Sequence, residues 1–239
     1  MKKTDFEETI SYNFITRYLH DNKHKLFFQN MDDLFKKRIF LSDRKINILD
    51  LGCGPAYIFS EISKKINNFN YIGIEPREDF YNEANKRYSK DKRFKIYKEY
   101  CENYLTKVSK VDIILSFDCF EHIPLEKRQI AINIISKIKF EYMFVNVPNE
   151  IGPAIFLKNF GSYLMGYMRH KEYSFLETFY ASIYKLDKIK PHTIYHKGFD
   201  WRTLYYDLRY YFDAKIKTSP FNFVPIFFSP SIFIICKKK

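Results

Sequence analysis

The sequence predicts an α/β fold: a doubly wound, mostly parallel seven-stranded sheet with helices on both faces, N-terminal helices and a helical insertion after the fifth strand. Three observations carry that expectation. Short apolar, β-branched runs alternate with stretches of helical spacing, the pattern of strands joined by crossover helices. The first run, Ile46-Asn47-Ile48-Leu49-Asp50-Leu51, ends in Gly52-Cys53-Gly54, a tight turn where backbone can approach a ligand closely. The second ends in Glu75-Pro76, 21 residues beyond Gly54. A carboxylate there can accept bonds from both hydroxyls of a ribose lying across two strand ends, each contributing about 1.5–3 kcal/mol.

Thr9 to Phe40 carries Tyr12, Ile15, Tyr18, Leu19, Met31, Leu34 and Phe35 at mixed three-and-four spacing, which predicts two helices before the first strand. The alternation then runs strand Ile46–Leu51, helix Ala56 to Ile66, strand Tyr71–Glu75, helix Glu78 to Ser89 and strand Phe94–Tyr97. It continues with strand Asp112–Phe117, helix Leu125 to Ile138 and strand Tyr142–Val147, which stops at Pro148. Asn149 to Pro191 interrupts the pattern with two aromatic-rich helical stretches, Ile155–Met168 and Ser174–Leu186. A last helix starts after Asp200, a residue suited to cap it, and two strands near 213–218 and 231–236 form an antiparallel closing pair. The whole, residues 1–239, is expected to be a single domain, with 1–45 a helical cap and 149–191 a substrate-side insertion.

Composition narrows the function classes. The net charge of +12 admits nucleic acid, an anionic membrane surface or phosphorylated substrates as partners. The lysines are scattered, however, in a sequence rich in Lys, Asn, Ile, Phe and Tyr, so a solvated surface is the favoured reading and nucleic acid a disfavoured one. Four cysteines, Cys53, Cys101, Cys119 and Cys236, lack metal-site spacing and suit reduced thiols in a cytoplasmic protein. The charged start Met1-Lys2-Lys3-Thr4-Asp5 is unlike a signal peptide, and no apolar run approaches the roughly 20 residues of a spanning helix.

The glycine spacing chooses the nucleoside cofactor. A dinucleotide fingerprint requires Gly-x-Gly-x-x-Gly, and its last position here is Tyr57; no Gly-Lys-Ser/Thr follows for a phosphate loop. The run Asp50-x-Gly52-x-Gly54-x-Ala56 instead resembles the first motif of class I S-adenosylmethionine-dependent methyltransferases, with Ala56 where that family often has a third glycine. Glu75, the Tyr100-Cys101-Glu102-Asn103 turn, and Val111 to Asp118 leading into Glu121-His122-Ile123-Pro124 extend the resemblance. So does His192-Thr193-Ile194-Tyr195-His196-Lys197-Gly198-Phe199-Asp200, similar to the run into that family's last helix.

The resemblance implies S-adenosyl-L-methionine as cofactor and assigns residues to it. Gly52, Cys53 and Gly54 would wrap its methionine and ribose, and Asp50 would position the loop or a water at its amine. Glu75 would hold the ribose and Pro76 flank the adenine; Cys101 and Glu102 would meet the adenine edge, and Phe117 and Asp118 the methionine side. Glu121 and His122 with Asp118 are conceivable metal ligands, but the acidic triad of metal-dependent catechol methyltransferases is not recognisable, so no metal is assigned.

Methyl transfer from a sulfonium needs alignment of nucleophile, methyl and sulfur, and a hydroxyl acceptor benefits from a base. His122, His192 and His196 border the expected acceptor side; each alone suits a structural role, and at least one is expected to be the base. The basic chain and aromatic insertion suggest O- or N-methylation of a small or carbohydrate-type acceptor, such as a sugar or surface-glycan precursor. A quinone or lipid precursor, a nucleic acid, and a non-catalytic cofactor-binding scaffold are the alternatives. The insertion reads as a lid, a packed pair or dimer contact, or a peripheral membrane-surface element. The sequence leaves the oligomeric state open.

Overall fold

The computed structural model describes residues 28–29, 44–164, 173–190, 196–219 and 223–239, the side chain of residue 162 apart. Most of the expected helical cap at 1–45 lies outside them; Phe28 is helical and buried against the core.

Seven strands form one mixed sheet: β1 (Ile46–Leu51), β2 (Phe69–Ile74), β3 (Phe94–Tyr97), β4 (Ile113–Phe117), β5 (Tyr142–Pro148), β6 (Phe212–Ser219) and β7 (Ser231–Lys238). Their order is β3-β2-β1-β4-β5-β7-β6. Strands β1 to β5 pair in parallel. β7 is antiparallel to both β5 and β6. The closing pair is thus antiparallel as expected, and β7 is the inner of the two strands. The residues explain that order. β6 alternates buried Phe212 and Ala214 with exposed Asp213 and Lys215, a charged edge that resists further pairing. β7 is a continuous buried run from Ser231 to Ile234, which requires cover on both faces.

The strands' period of two separates two cores. On one face Leu49, Leu51, Ile114, Val145, Ile232 and Ile234 pack with Ala131, Ile132 and Ile135 of α4 (Leu125–Lys137) and Leu204 and Leu208 of α7 (Trp201–Tyr211). On the other, Ile46, Ile48, Tyr71, Ile113, Leu115 and Phe144 pack with Ile58, Phe59 and Ile62 of α1 (Tyr57–Lys65) and Ala84 of α2 (Glu78–Tyr88). Helices cover both faces. At the carboxyl ends of β1 and β2, strand-to-helix turns gather along one edge of the sheet, where such folds bind ligands.

Two local differences from expectation have clear causes. Helix α1 begins at Tyr57 because Ala56 adopts a left-handed backbone, φ 56°. The turn expected at Tyr100–Asn103 is the start of a short helix, α3 (Cys101–Leu105), whose Cys101, Tyr104 and Leu105 are buried.

Within the insertion, α5 (Pro153–Leu164) and α6 (Phe175–Ser182) stand where the two stretches are predicted, the second shorter than its stretch. Residues 165–168 of the first stretch lie outside the described residues, whereas the second is stopped by Tyr184 at φ 65°. Ser174 starts α6 with a reciprocal cap: its hydroxyl accepts the Glu177 amide at 3.1 Å and its amide donates to Glu177 Oε2 at 2.9 Å. Ile155, Tyr173, Ala181 and Ile189 form the insertion's own small core. Among the described residues, no helix is long and apolar enough to cross a membrane.

Candidate functional site

A cavity of about 760 Å³ opens beyond the strand ends. Its walls include all ten residues assigned to the cofactor from the sequence, Asp50, Gly52, Cys53, Gly54, Glu75, Pro76, Cys101, Glu102, Phe117 and Asp118, and also His122 and His196. His192, the third histidine, lies outside the described residues.

The turn after β1 gives the cavity its floor. Gly52 and Gly54 have φ of 68° and 53°, a region that L side chains enter only at a cost of about 1–2 kcal/mol. Gly52 and Cys53 both donate their amides to the Ile74 carbonyl, at 2.8 and 3.1 Å, so the turn is stitched to the end of β2. Glu75 completes the seam. Its Oε2 accepts the Gly54 amide at 2.8 Å and its Oε1 accepts the Arg77 amide at 2.9 Å. Each carboxylate oxygen accepts more than one bond, so both retain capacity for a hydroxyl donor.

Asp50 is 2 % exposed and accepts the Tyr71 hydroxyl on Oδ2 at 2.5 Å, while Oδ1 is buried without a hydrogen-bond partner. Burial pushes its carboxyl up to about 7, partly opposed by the Tyr71 bond. An orphaned carboxylate oxygen on a cavity wall fits an ammonium ligand or a water held against one; the sequence reading had Asp50 position the loop or a water at the cofactor's amine.

On the wall assigned to the adenine, Cys101 and Glu102 stand at the start of α3. Glu102 is engaged by Lys127, whose Nζ stands 3.2 Å from its Oε1. Arg77 lies over the Phe80 ring at 3.9 Å, and both line the cavity with Ile123, Pro124 and Tyr100, none of which the sequence reading assigned. Their signal was position alone: Arg77 and Phe80 follow the acidic strand end, and Ile123-Pro124 follow Glu121-His122.

The remaining wall holds the histidines. The chain leaves β4 through Asp118 at φ 49° and forms a single helical turn, Phe120–His122, ended by Pro124. Asp118 Oδ1 accepts from Asn146 Nδ2 at 3.2 Å. His196 arrives from the other side of the fold, and the two imidazole centroids are 4.8 Å apart. Behind them Glu121, its side chain fully buried, brings Oε1 within 3.3 Å of His196 Nδ1. Burial holds the His122 imidazole below its ordinary value. Burial acts the same way on His196, but Glu121 outweighs it and raises that group. The sequence reading weighed Glu121 only as an unassigned metal ligand and did not foresee its approach to His196, because that partner is distant in the chain.

The insertion fixes the His196 segment. Lys197 pairs with Glu177 of α6 at 2.7 Å, and the Gly198 amide donates to the Tyr173 hydroxyl at 2.9 Å. Trp201 Nε1 donates to Asn149 Oδ1 at 3.1 Å, tying the start of α7 to the start of the insertion.

Known proteins share this fold. A family model described as "Methyltransferase domain" matches residues 48–138. No curated protein sequence matches the chain. The fold is similar to the small RNA methyltransferase HEN1 (13% identity, TM-score 0.59, covering 92% of this chain and 26% of that one). It is also similar to magnesium protoporphyrin IX methyltransferase from Synechocystis PCC 6803 with bound S-adenosylhomocysteine (11%, 0.59, 95% and 88%). A third similar structure is the plantazolicin methyltransferase BpumL, also with S-adenosylhomocysteine (18%, 0.59, 99% and 92%).

Proposed function

The chain belongs to the class I S-adenosylmethionine-dependent methyltransferase superfamily, and from that premise we propose that it methylates oxygen or nitrogen of a small or carbohydrate-type acceptor, a sugar or surface-glycan precursor first among them. The observation that carries the reading is the continuity of one cavity from the Gly52–Gly54 turn and Glu75 to His122 and His196. An acceptor lying against the histidines would face the methyl of a cofactor held by Asp50 and Glu75. When bound, S-adenosylmethionine supplies an activated methyl group. The protein's part is to orient it, exclude water and deal with the acceptor's proton. Gly54 and Glu75 fix the ribose end, Asp50 the amine end, and Phe117 and Asp118 the wall between amine and histidines.

The insertion is the acceptor-selecting element in this reading. Its hold on the His196 segment through Glu177 and Tyr173 sets where that part of the acceptor wall stands. Its outer aromatic residues, among them Phe160, Tyr163 and Phe175, are exposed. A nucleic-acid acceptor is the second reading, favoured by the net charge of +12 and by the fold's similarity to an RNA methyltransferase.

The test is methyl transfer from radiolabelled cofactor to a panel of nucleotide sugars, free sugars, phenolic quinone precursors and short RNAs. Label in a sugar or nucleotide sugar supports the reading, and label confined to a phenolic quinone precursor replaces it with a lipid-precursor acceptor. Label confined to RNA replaces it with the second. S-adenosylhomocysteine binding without transfer to any class favours a non-catalytic scaffold.

A further inference from the structure

Glu121, His122 and His196 each offer a donor atom, and these atoms all lie within 4.8 Å of one another. Two ligands of one ion stand at most about 4.2 Å apart when each bond is near 2.1 Å, so small side-chain rotations close the set. The state of the donors makes the cluster unusual. The Glu121 side chain is fully buried, and both of its carboxylate oxygens lack a hydrogen bond; so does His196 Nδ1, although it stands 3.3 Å from Oε1. The two groups therefore approach without hydrogen-bond alignment. A buried carboxylate left in that condition is costly, and coordination is one of the few arrangements that satisfies it. Asp118, a further oxygen donor on the cavity wall, precedes the same turn.

From this geometry we infer that Glu121, His122 and His196 hold a divalent cation at the acceptor end of the cavity. Two imidazoles with one carboxylate suit a first-row transition ion such as Mn²⁺ or Zn²⁺ better than Mg²⁺, which prefers an all-oxygen shell. The inference rests on the methyltransferase reading and deepens it, because a bound cation favours a hydroxyl acceptor. The hydroxyl oxygen coordinates the ion, its pKa falls, and its proton leaves to solvent. That oxygen then forms a bond to the methyl carbon as the bond from carbon to sulfur breaks, releasing S-adenosylhomocysteine. His122 and His196 are then ligands, and the ion takes over the activation otherwise assigned to a histidine base.

The test needs no acceptor. The full chain, stripped with chelator, is titrated with Mn²⁺ followed by electron paramagnetic resonance, and with Zn²⁺ by calorimetry. One equivalent is expected to bind at micromolar concentration, and Glu121→Gln and His196→Gln are each expected to weaken it at least about tenfold. If Glu121→Gln does not fold cooperatively, His196→Gln decides. Absence of saturable binding up to millimolar ion, or equal binding in the variants, overturns the inference and leaves an ion-free carboxylate–imidazole pair. A parallel S-adenosylhomocysteine titration of the unaltered, metal-free chain separates this failure from failure of the methyltransferase reading, which that titration alone addresses.

Discussion

Glu75 accepts the Gly54 amide at 2.8 Å, so the glycine turn after β1 and the acidic end of β2 are a single unit rather than two motifs that happen to share a ligand. The carboxylate shapes the turn before any cofactor arrives. With the Arg77 amide on its other oxygen, it also sets the direction in which the chain enters α2.

Glu75→Ala is therefore expected to weaken S-adenosylhomocysteine binding by at least about tenfold, since it removes charged acceptor bonds to the ribose of about 1.5–3 kcal/mol and frees the turn as well. Glu75→Gln is expected to be little better. An amide can offer only one acceptor oxygen, so its NH₂ group would face either the Gly54 or the Arg77 amide, donor against donor. Calorimetric titration of both variants checks this, and affinity within threefold of the unaltered protein for either would remove Glu75 from the site.

Asp50 predicts a pH dependence. Its carboxyl ionises at about 7 in the folded protein against an ordinary value of 3.8, the shift being caused first by burial. Between those limits the unfolded chain releases a proton that the folded chain keeps. This group's contribution to the stability of the ligand-free protein is thus fully present below about pH 4 and is lost as pH rises through about 7. Cofactor binding runs the other way, because an ammonium selects the ionised form. Affinity for S-adenosylhomocysteine should rise about tenfold from pH 6 to pH 8, in proportion to the ionised fraction. Tyr71→Phe, which removes a bond that favours ionisation, should move that rise to higher pH. An affinity flat across the range would mean that Asp50 does not meet the amine.

How far the sequence was legible depends on whether the determinants are local. Gly52, Gly54 and Glu75 could be read because a tight turn and a strand-end carboxylate are each encoded within a few residues. The placement of β7 inside β6 was not read, although the unbroken apolar run at Ser231–Ile234 beside the alternating charges of Asp213, Lys215 and Lys217 holds the reason. The pairing of Glu121 with His196 had no local signal. It arises when the insertion, through Glu177 and Tyr173, holds the segment before α7 against the turn after β4.

Gly52→Ala tests the turn itself. A Cβ at Gly52 would stand 2.7 Å from Cys119 Cβ, on a backbone at φ 68°. Left-handed strain of about 1–2 kcal/mol and overpacking of about 1–3 kcal/mol predict a combined loss of roughly 2–5 kcal/mol in denaturant unfolding. Ala56→Gly, which restores the missing third glycine, should by contrast lie within about 1 kcal/mol of neutral. Relief of similar strain is offset by the freer unfolded chain, about 0.4–1 kcal/mol, and by loss of a buried methyl, about 0.8 kcal/mol. A small loss at Gly52 would mean that Cys119 yields readily.

The wall assigned to the adenine edge carries an ion pair. Glu102 was assigned there, but its carboxylate already faces Lys127 at 3.2 Å, whereas Cys101 and Glu102 both contribute to the cavity wall at the start of α3. Backbone at that helix start can read an adenine without the side chain. Glu102→Gln should accordingly weaken S-adenosylhomocysteine binding less than about threefold, an effect well under 1 kcal/mol. A tenfold loss would instead mean that the carboxylate turns from Lys127 to the base when the cofactor binds. Lys127→Ala, which releases it, would then tighten binding.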